Sequence, residues 1–217
     1  LELFLFDESG KRVGTVGKFP FLVMARRPNV RYESPMEFSP RITVAASDVA
    51  YIGFTDSYDI GVYDRSGKRI RTIRRAWTPV RVTKQDLDNY KAAFVGGMNE
   101  GGTTSADWRA FRERRFGEMN FAETFPAHGQ MKVDEIGNLW VQETQRPTAD
   151  PMMNRFFSAP KLPIEWSVFD RAGRWLGQVN TPANFWVFEI GPDYIAGVQR
   201  DELDVEHVQL YPLIKPR

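Results

Sequence analysis

Short apolar runs separated by tight polar turns dominate this chain, and one arrangement occurs three times. It reads FDESGKRVGTV at 6–16, YDRSGKRIRTI at 63–73 and FDRAGRWLGQV at 169–179. Val, Ile, Leu and aromatic residues flank each turn, as they do in β-strands. The Asp side chain can accept hydrogen bonds from backbone amides two residues on, and the Gly can close the turn with a positive φ. The pattern therefore predicts β-hairpins, with a positive φ at Gly67 and Gly173.

A second set of tight turns lies between these hairpins, at 44–54, 131–143 and 187–199. Combined, the two sets give units of four strands. Gly10 and Gly67 are 57 positions apart, and Gly67 and Gly173 are 106 apart, about twice 53. A repeat of this order with β content is typical of propeller blades. The fold class is therefore predicted to be all-β, a partial β-propeller with a helical insertion.

The repeat divides the chain into parts of one partial propeller domain that spans 1–217. In the insertion, Thr83 and Asp86 resemble a capping box, and Leu87, Tyr90 and Phe94 recur at helical spacing. This helix pair could pack on the propeller face or act as a mobile lid. The parts are two strands of a first blade at 1–16, a blade at 41–74, the helical insertion at 83–117, a blade at 130–179 and a three-stranded last blade at 185–211.

The Asp-x-x-Gly hairpins, VDEIGNLWVQE at 133–143 and WSVFDRAGRWLGQV at 166–179 resemble bacterial six-bladed β-propeller proteins of the NHL-like type. The helical insertion followed by FPAHGQMKVDEIGNLWV resembles an uncharacterised subgroup of these proteins that is often exported. The resemblance implies a six-bladed ring of which this chain is the C-terminal portion. It also implies an extracytoplasmic location, in the periplasm or at the cell surface. It implies no particular activity, because propellers carry many unrelated functions.

Composition and charge narrow the classes of partner. The formal net charge is +1, so the chain lacks the basic excess that nucleic-acid binders normally carry. The arginines at 109–115 alternate with glutamate and are expected to form a solvated helix face. There is no cysteine, which excludes disulfides and thiolate ligands. No apolar run is long enough to span a membrane. Neither a nucleic-acid partner nor a membrane span is therefore expected.

The distribution of loop lengths indicates where a ligand would bind. The long connections at 17–40, 75–129 and 144–163 all fall on one predicted face of the propeller, whereas the turns on the other face are short. Long loops on one face of a rigid scaffold usually carry binding. Tolerated surface insertions are the alternative interpretation.

Polar residues at the starts of the predicted inner strands are the first candidate ligand-binding residues. Arg41, His128 and Asn184 could together hold a carboxylate or another polar ligand. Each of them could instead bond to the carbonyls of a neighbouring blade. Three aromatic side chains near the same rim complete the candidates, namely Tyr32, Trp77 and Trp186.

The sequence contains no recognisable catalytic or metal-binding motif. It lacks Gly-x-Ser-x-Gly and His-Glu-x-x-His, and its two histidines are too few for a histidine-rich metal site. The Ser-Gly-Lys triplets lack the spacing and the following helix of a phosphate loop. Carboxylate clusters at 56–59 and 201–204 have no EF-hand pattern and are expected to be solvated loop charges. No catalytic residue, metal ligand or cofactor is assigned.

These observations favour a non-catalytic binding or interaction module of an exported bacterial protein. Its unidentified small-molecule, peptide or protein partner is expected to bind at the channel mouth, on the face with the long loops. The alternative is a propeller hydrolase or lyase that acts at the same mouth, which converging channel carboxylates with a bound metal would favour.

Overall fold

The computed structural model describes residues 1–7, 9–19, 42–96, 105–144, 162–201, 203 and 205–214. Within these ranges the chain forms four antiparallel sheets, in which each strand pairs with its neighbour along the chain. The expected all-β class is confirmed. The sheets contain β1 (Glu2–Phe6) and β2 (Arg12–Lys18); β3 (Ile42–Ala46), β4 (Ala50–Phe54), β5 (Asp59–Tyr63) and β6 (Arg69–Arg74); β7 (His128–Val133), β8 (Leu139–Glu143), β9 (Ile164–Phe169) and β10 (Trp175–Thr181); and β11 (Phe185–Ile190), β12 (Tyr194–Arg200) and β13 (Glu206–Pro212).

The strand boundaries lie close to those expected from the apolar runs, with one difference of note. Strand β7 begins at His128, whereas the sequence pattern placed its start at 130. An irregularity in the pairing between His128 and Met131 explains the difference, because it breaks the alternation that marks a strand in the sequence. His128 is paired with Glu143 across the sheet despite this irregularity.

The turns between β5 and β6 and between equivalent strands have the expected chemistry. Asp64 Oδ1 accepts from the backbone amides of Ser66 at 2.8 Å and Lys68 at 3.1 Å. Gly67 has a φ of 81°, which only glycine adopts without strain. The predicted positive φ at Gly67 and Gly173 is confirmed. The same pair of features occurs in three other turns: an Asp carboxylate accepts from a backbone amide, and a Gly has a positive φ. The pairs are Asp7 with Gly10, Asp134 with Gly137 and Asp170 with Gly173.

Successive sheets pack face to face around two apolar clusters. In the central strand β8, Leu139 and Val141 belong to the cluster shared with the β3–β6 sheet, whereas Trp140 belongs to the cluster shared with the β11–β13 sheet. This alternation follows from the two-residue period of a strand. Both faces of the β7–β10 sheet are therefore covered, and β3 lies beside β7.

The Asp-x-x-Gly turns lie at one end of the packed sheets together with the β3–β4 and β11–β12 turns, and we term this end the short-turn face. The guanidinium of Arg71 donates to the carbonyl oxygen of Arg171, and Arg171 Nε donates to the carbonyl oxygen of Ile136 at 2.9 Å. The backbone amide of Glu135 donates to Ile190 at 3.0 Å. These bonds join the ends of three sheets. The opposite end, where the connections at 19–41, 75–127 and 144–163 leave the strands, is the long-connection face.

Two helices, α1 (Lys84–Gly96) and α2 (Ala106–Gly117), occupy the connection between β6 and β7. The expected capping box at the start of α1 is confirmed. The Asp86 amide donates to Thr83 Oγ1 at 3.2 Å, and the Thr83 amide donates to Asp86 Oδ2 at 2.7 Å. Helix α2 is capped by Ser105, whose Oγ accepts from the Trp108 amide at 3.1 Å.

The helix pair packs on its own apolar cluster. Tyr90 and Phe94 from α1 contact Phe125 and partly buried residues of the segments that flank the helices. Those segments pair with each other, because the Val82 amide bonds to Glu123 and the Phe125 amide bonds to Val80, both at 2.9 Å. Arg112, expected to lie on a solvated face, instead stacks on Phe94 and Trp108 and donates to the Phe94 carbonyl at 2.6 Å. The insertion is therefore a small packed unit on a two-segment neck.

The contact between the first two sheets predicts unequal costs for two glycine substitutions. A Cβ at Gly67 would lie 2.6 Å from the Thr15 carbonyl oxygen of the neighbouring sheet, whereas a Cβ at Gly10 would meet nothing within 4 Å. Both glycines have a positive φ. We expect Gly10→Ala to cost about 1 kcal/mol and Gly67→Ala to cost roughly 2–4 kcal/mol in the free energy of unfolding. Urea denaturation measures both, and equal losses would show that the two sheets do not meet at this turn.

The turn carboxylates predict a loss of stability in acid. Hydrogen bonds from Ser66 and backbone amides lower the pKa of Asp64, and comparable bonds lower the pKa of Asp7 and Asp170. His207 and backbone amides lower the pKa of Asp201. A group with a lowered pKa in the folded state stabilises the fold above its unfolded pKa and loses that contribution as it is protonated. The melting temperature should therefore stay level down to about pH 4 and then fall. Asp64→Asn should melt lower at neutral pH and show a smaller fall in acid, and a parallel pH curve would contradict this assignment.

Candidate functional site

A group of polar side chains lies between the β3–β6 and β7–β10 sheets, near the long-connection face. We term it the polar cluster; its members are Tyr58, Arg75, His128, Glu143 and Ser167. Each is positioned by a strand or strand end: Tyr58 precedes β5, Arg75 follows β6, His128 begins β7, Glu143 ends β8 and Ser167 lies within β9. The strand ends thus bring together residues that are far apart in the sequence.

Glu143 and Arg75 form the centre of the polar cluster. The Arg75 guanidinium donates to Glu143 Oε1 and, at 2.6 Å, to Ser167 Oγ. The Tyr58 hydroxyl donates to the same Glu143 oxygen at 3.0 Å. The Arg75 side chain retains 33% of its exposure and that of Glu143 retains 17%. The ion pair is therefore shielded from bulk water but remains reachable by a ligand.

The groups in the polar cluster shift one another's pKa values. Burial, reinforced by the Glu143 carboxylate, raises the pKa of Tyr58 far above its ordinary value, so that its hydroxyl stays protonated as a donor. Burial alone would lower the pKa of Arg75, but Glu143 and Tyr58 raise it. The arrangement is a neutralised ion pair with a fixed phenol donor.

The geometry of Ser167 does not match that of an activated nucleophile. Its hydroxyl is fully buried and bonds to a guanidinium, which cannot accept its proton. His128 contacts Tyr58, with ring centroids 5.3 Å apart, rather than Ser167. Across the described ranges, no three His, Cys, Asp or Glu side chains converge to hold a metal ion. The polar cluster can bind and orient a polar group, but it does not present a nucleophile–base pair.

His128, expected as a ligand-binding residue, has no exposed surface. Its Nδ1 lies 3.1 Å from the Gly129 carbonyl oxygen. A Cβ at Gly53 would lie 3.0 Å from the His128 ring, so the glycine allows the ring to fit between the sheets. The buried imidazole therefore packs against the Tyr58 ring.

The other expected site residues are placed separately. Asn184 is exposed, with a φ of 57°, and its carbonyl oxygen accepts from the Arg200 amide at 3.2 Å. Trp186 stacks on Phe188 with ring centroids 5.9 Å apart. Trp77 is partly buried against the cluster between the second and third sheets. Arg41 and Tyr32 lie outside the described residues.

The two carboxylate regions considered for calcium have other roles. Asp59 pairs with Arg74 at 2.8 Å. Asp201 accepts from the amides of Leu203 and Val205, and its other oxygen lies 2.9 Å from His207 Nε2. Asp201 therefore has the role of a turn-forming residue, comparable with Asp64.

Most members of the polar cluster did not stand out in the sequence. Glu143 follows the apolar run LWV, and Ser167 lies inside IEWSVF, so each is a polar residue in an otherwise buried strand. A buried polar residue requires a partner, and that signal could have identified both. Nothing local relates Arg75 to Glu143, because they are 68 residues apart.

Neither a protein-family model nor a curated protein sequence matches this chain. Among the described residues, neither helix is long and apolar enough to cross a membrane. The geometry of the sheets and of the polar cluster is therefore the basis for any functional assignment.

The bonds within the polar cluster predict an order of stability losses. Glu143→Gln leaves Arg75 without a counter-charge, so we expect a loss of roughly 1–3 kcal/mol in the free energy of unfolding. Tyr58→Phe removes only the hydroxyl and should cost about 1 kcal/mol. Urea denaturation measures the difference between the two variants. Asp48→Asn, which removes an exposed ion pair with Arg65, serves as the control. A Glu143→Gln protein as stable as the control would show that the ion pair contributes nothing.

Proposed function

We propose that this protein is a non-catalytic binding module built from β-propeller blades of the six-bladed, exported bacterial type. Its ligand, a small molecule, peptide or protein, contacts the long-connection face. This assignment extends the expectation drawn from the sequence. The arrangement of the sheets, the asymmetry of the connections and the contacts of Ser167 support it.

The arrangement of the sheets supports the propeller. Each sheet is a meander whose strands follow the chain in order, and two of them contain four strands. Consecutive sheets pack face to face, with the first strands β3 and β7 side by side. Blades of a propeller are four-stranded meanders packed in this manner.

The asymmetry of the connections carries the functional assignment. Every described turn on the short-turn face is held by backbone hydrogen bonds over a few residues, whereas the connections at 75–127 and 144–163 both start beside the Arg75–Glu143 pair. Rigid sheets with elaborated loops on one face are a common basis for binding sites. A partly exposed ion pair at the base of those loops adds oriented donors and acceptors.

The geometry of Ser167 supports binding rather than catalysis, because its hydroxyl lacks a base among its described contacts.

A panel of short peptides and saccharides tests the proposal by ligand-induced thermal shift. We expect stabilising members of the panel to lose their effect in Glu143→Gln and in a variant whose residues 84–117 are replaced by a short Gly-Ser linker. Arg65→Ala, a substitution of an exposed residue on the short-turn face, should retain the shift.

The proposal fails if no panel member stabilises the protein, or if stabilisation is unchanged in both long-connection variants. Steady turnover of a panel ester or glycoside by the wild-type protein, abolished by Glu143→Gln, would favour the hydrolase alternative instead.

A further inference from the structure

A cleft of about 380 Å³ opens at the short-turn face, where the ends of β3, β7 and β11 meet. Its volume falls within the range of small-molecule sites. Three sheets contribute to it, together with Asp134 and Glu135 of the β7–β8 turn. The lining residues that matter here are Ala45, Met131, Lys132, Phe188, Glu189 and Ile190.

Lys132 is a half-buried cation on the wall of this cleft. It lies opposite Trp140 in the β7–β8 pairing and is only partly exposed. Among the described residues, no hydrogen bond or ion pair engages its ammonium group. Burial lowers its pKa, which reflects the cost of holding the charge with little water around it. A desolvated ammonium without a paired counter-charge is stabilised by a carboxylate that contacts it directly.

The carboxylates of the cleft are occupied elsewhere or solvated. Asp134 accepts from Asn138 and, at 3.0 Å, from the indole nitrogen of Trp140. Glu189 accepts from the Tyr194 hydroxyl. Glu135 is exposed. They do not neutralise Lys132, but their negative charge disfavours a ligand with more than one negative charge.

The apolar part of the lining limits the ligand further. Phe188 lines the cleft and is 62% exposed, and the buried residues Met131 and Ile190 also line it. Such a surface gains from contact with an apolar group. The single cation favours a ligand with one carboxylate, and the apolar wall favours a ligand whose remaining part is apolar. The surrounding negative charge disfavours a second carboxylate on the ligand.

We propose that the cleft binds a small monocarboxylate, with its carboxylate on Lys132 Nζ and its apolar part against Phe188. This site lies at the other end of the strands from the polar cluster and goes beyond the function proposed above. The two assignments are independent, because they concern different residues and different ligands.

Phenylacetate is the probe that tests the site, and ligand-observed NMR titration of the full chain measures its affinity. We expect Lys132→Met to weaken binding by at least about tenfold, and Lys132→Arg to retain it, because the charge persists. Lys68→Met, which removes an exposed lysine on the same face, serves as the matched control and should bind as the wild type does. Phenyl phosphate and phenethylamine should bind more weakly than phenylacetate.

Should Lys132→Met fail to fold, phenylacetamide replaces the variant, because it keeps the shape of the probe and removes its charge. Binding of phenylacetate but not of phenylacetamide to the wild type supports the site. Equal binding of the two, unchanged affinity in Lys132→Met, or no binding of phenylacetate at all would overturn it.

Discussion

The carboxylate of the Asp-x-x-Gly turn, held by backbone amides two and four residues on, is the interaction on which the rest of the structure depends. Asp64 shows it most clearly, with Gly67 supplying the positive φ that lets the chain reverse. The bond fixes where each hairpin turns and therefore the register of its strands. Because the register is fixed, alternate apolar residues of an inner strand such as β8 fall on the two faces that meet neighbouring sheets.

The turns also determine which end of the molecule can vary. Bonds such as that from Arg171 to Ile136 tie neighbouring turns together, so the short-turn face has little freedom for insertions. Added chain length accumulates at the opposite end, where the Arg75–Glu143 pair lies between two sheets. The polar cluster then has two consequences, since it joins the sheets and leaves a partly exposed charge pair at the base of the long connections. Structural and binding roles are therefore compatible in the same side chains.

The strands and turns could be predicted from the sequence because they depend on residues that are close together in the chain. The Asp-x-x-Gly pattern determines the turn by itself, and the apolar runs on either side of it predict the strands. The polar cluster could not be predicted from the sequence because its bonds join residues from different sheets. His128 was identified as a polar residue at a strand start, but its complete burial under Tyr58 depends on the space left by Gly53. Arg112 was misjudged for a similar reason, because two aromatic rings from different helices enclose its charge.

The central claim is that consecutive sheets pack with their Asp-x-x-Gly turns at one end and the long connections at the other. Cross-linking of introduced cysteines tests it directly, since the chain contains no cysteine of its own. Arg71→Cys combined with Ala172→Cys places one thiol near the start of β6 and the other in the β9–β10 turn, next to the bond between Arg71 and the Arg171 carbonyl. A short bismaleimide should join this pair within the native monomer and should not join Ala172→Cys with Asp56→Cys, at the opposite end. Equal cross-linking of the two pairs, or none for the first, would contradict the packing of the sheets described here.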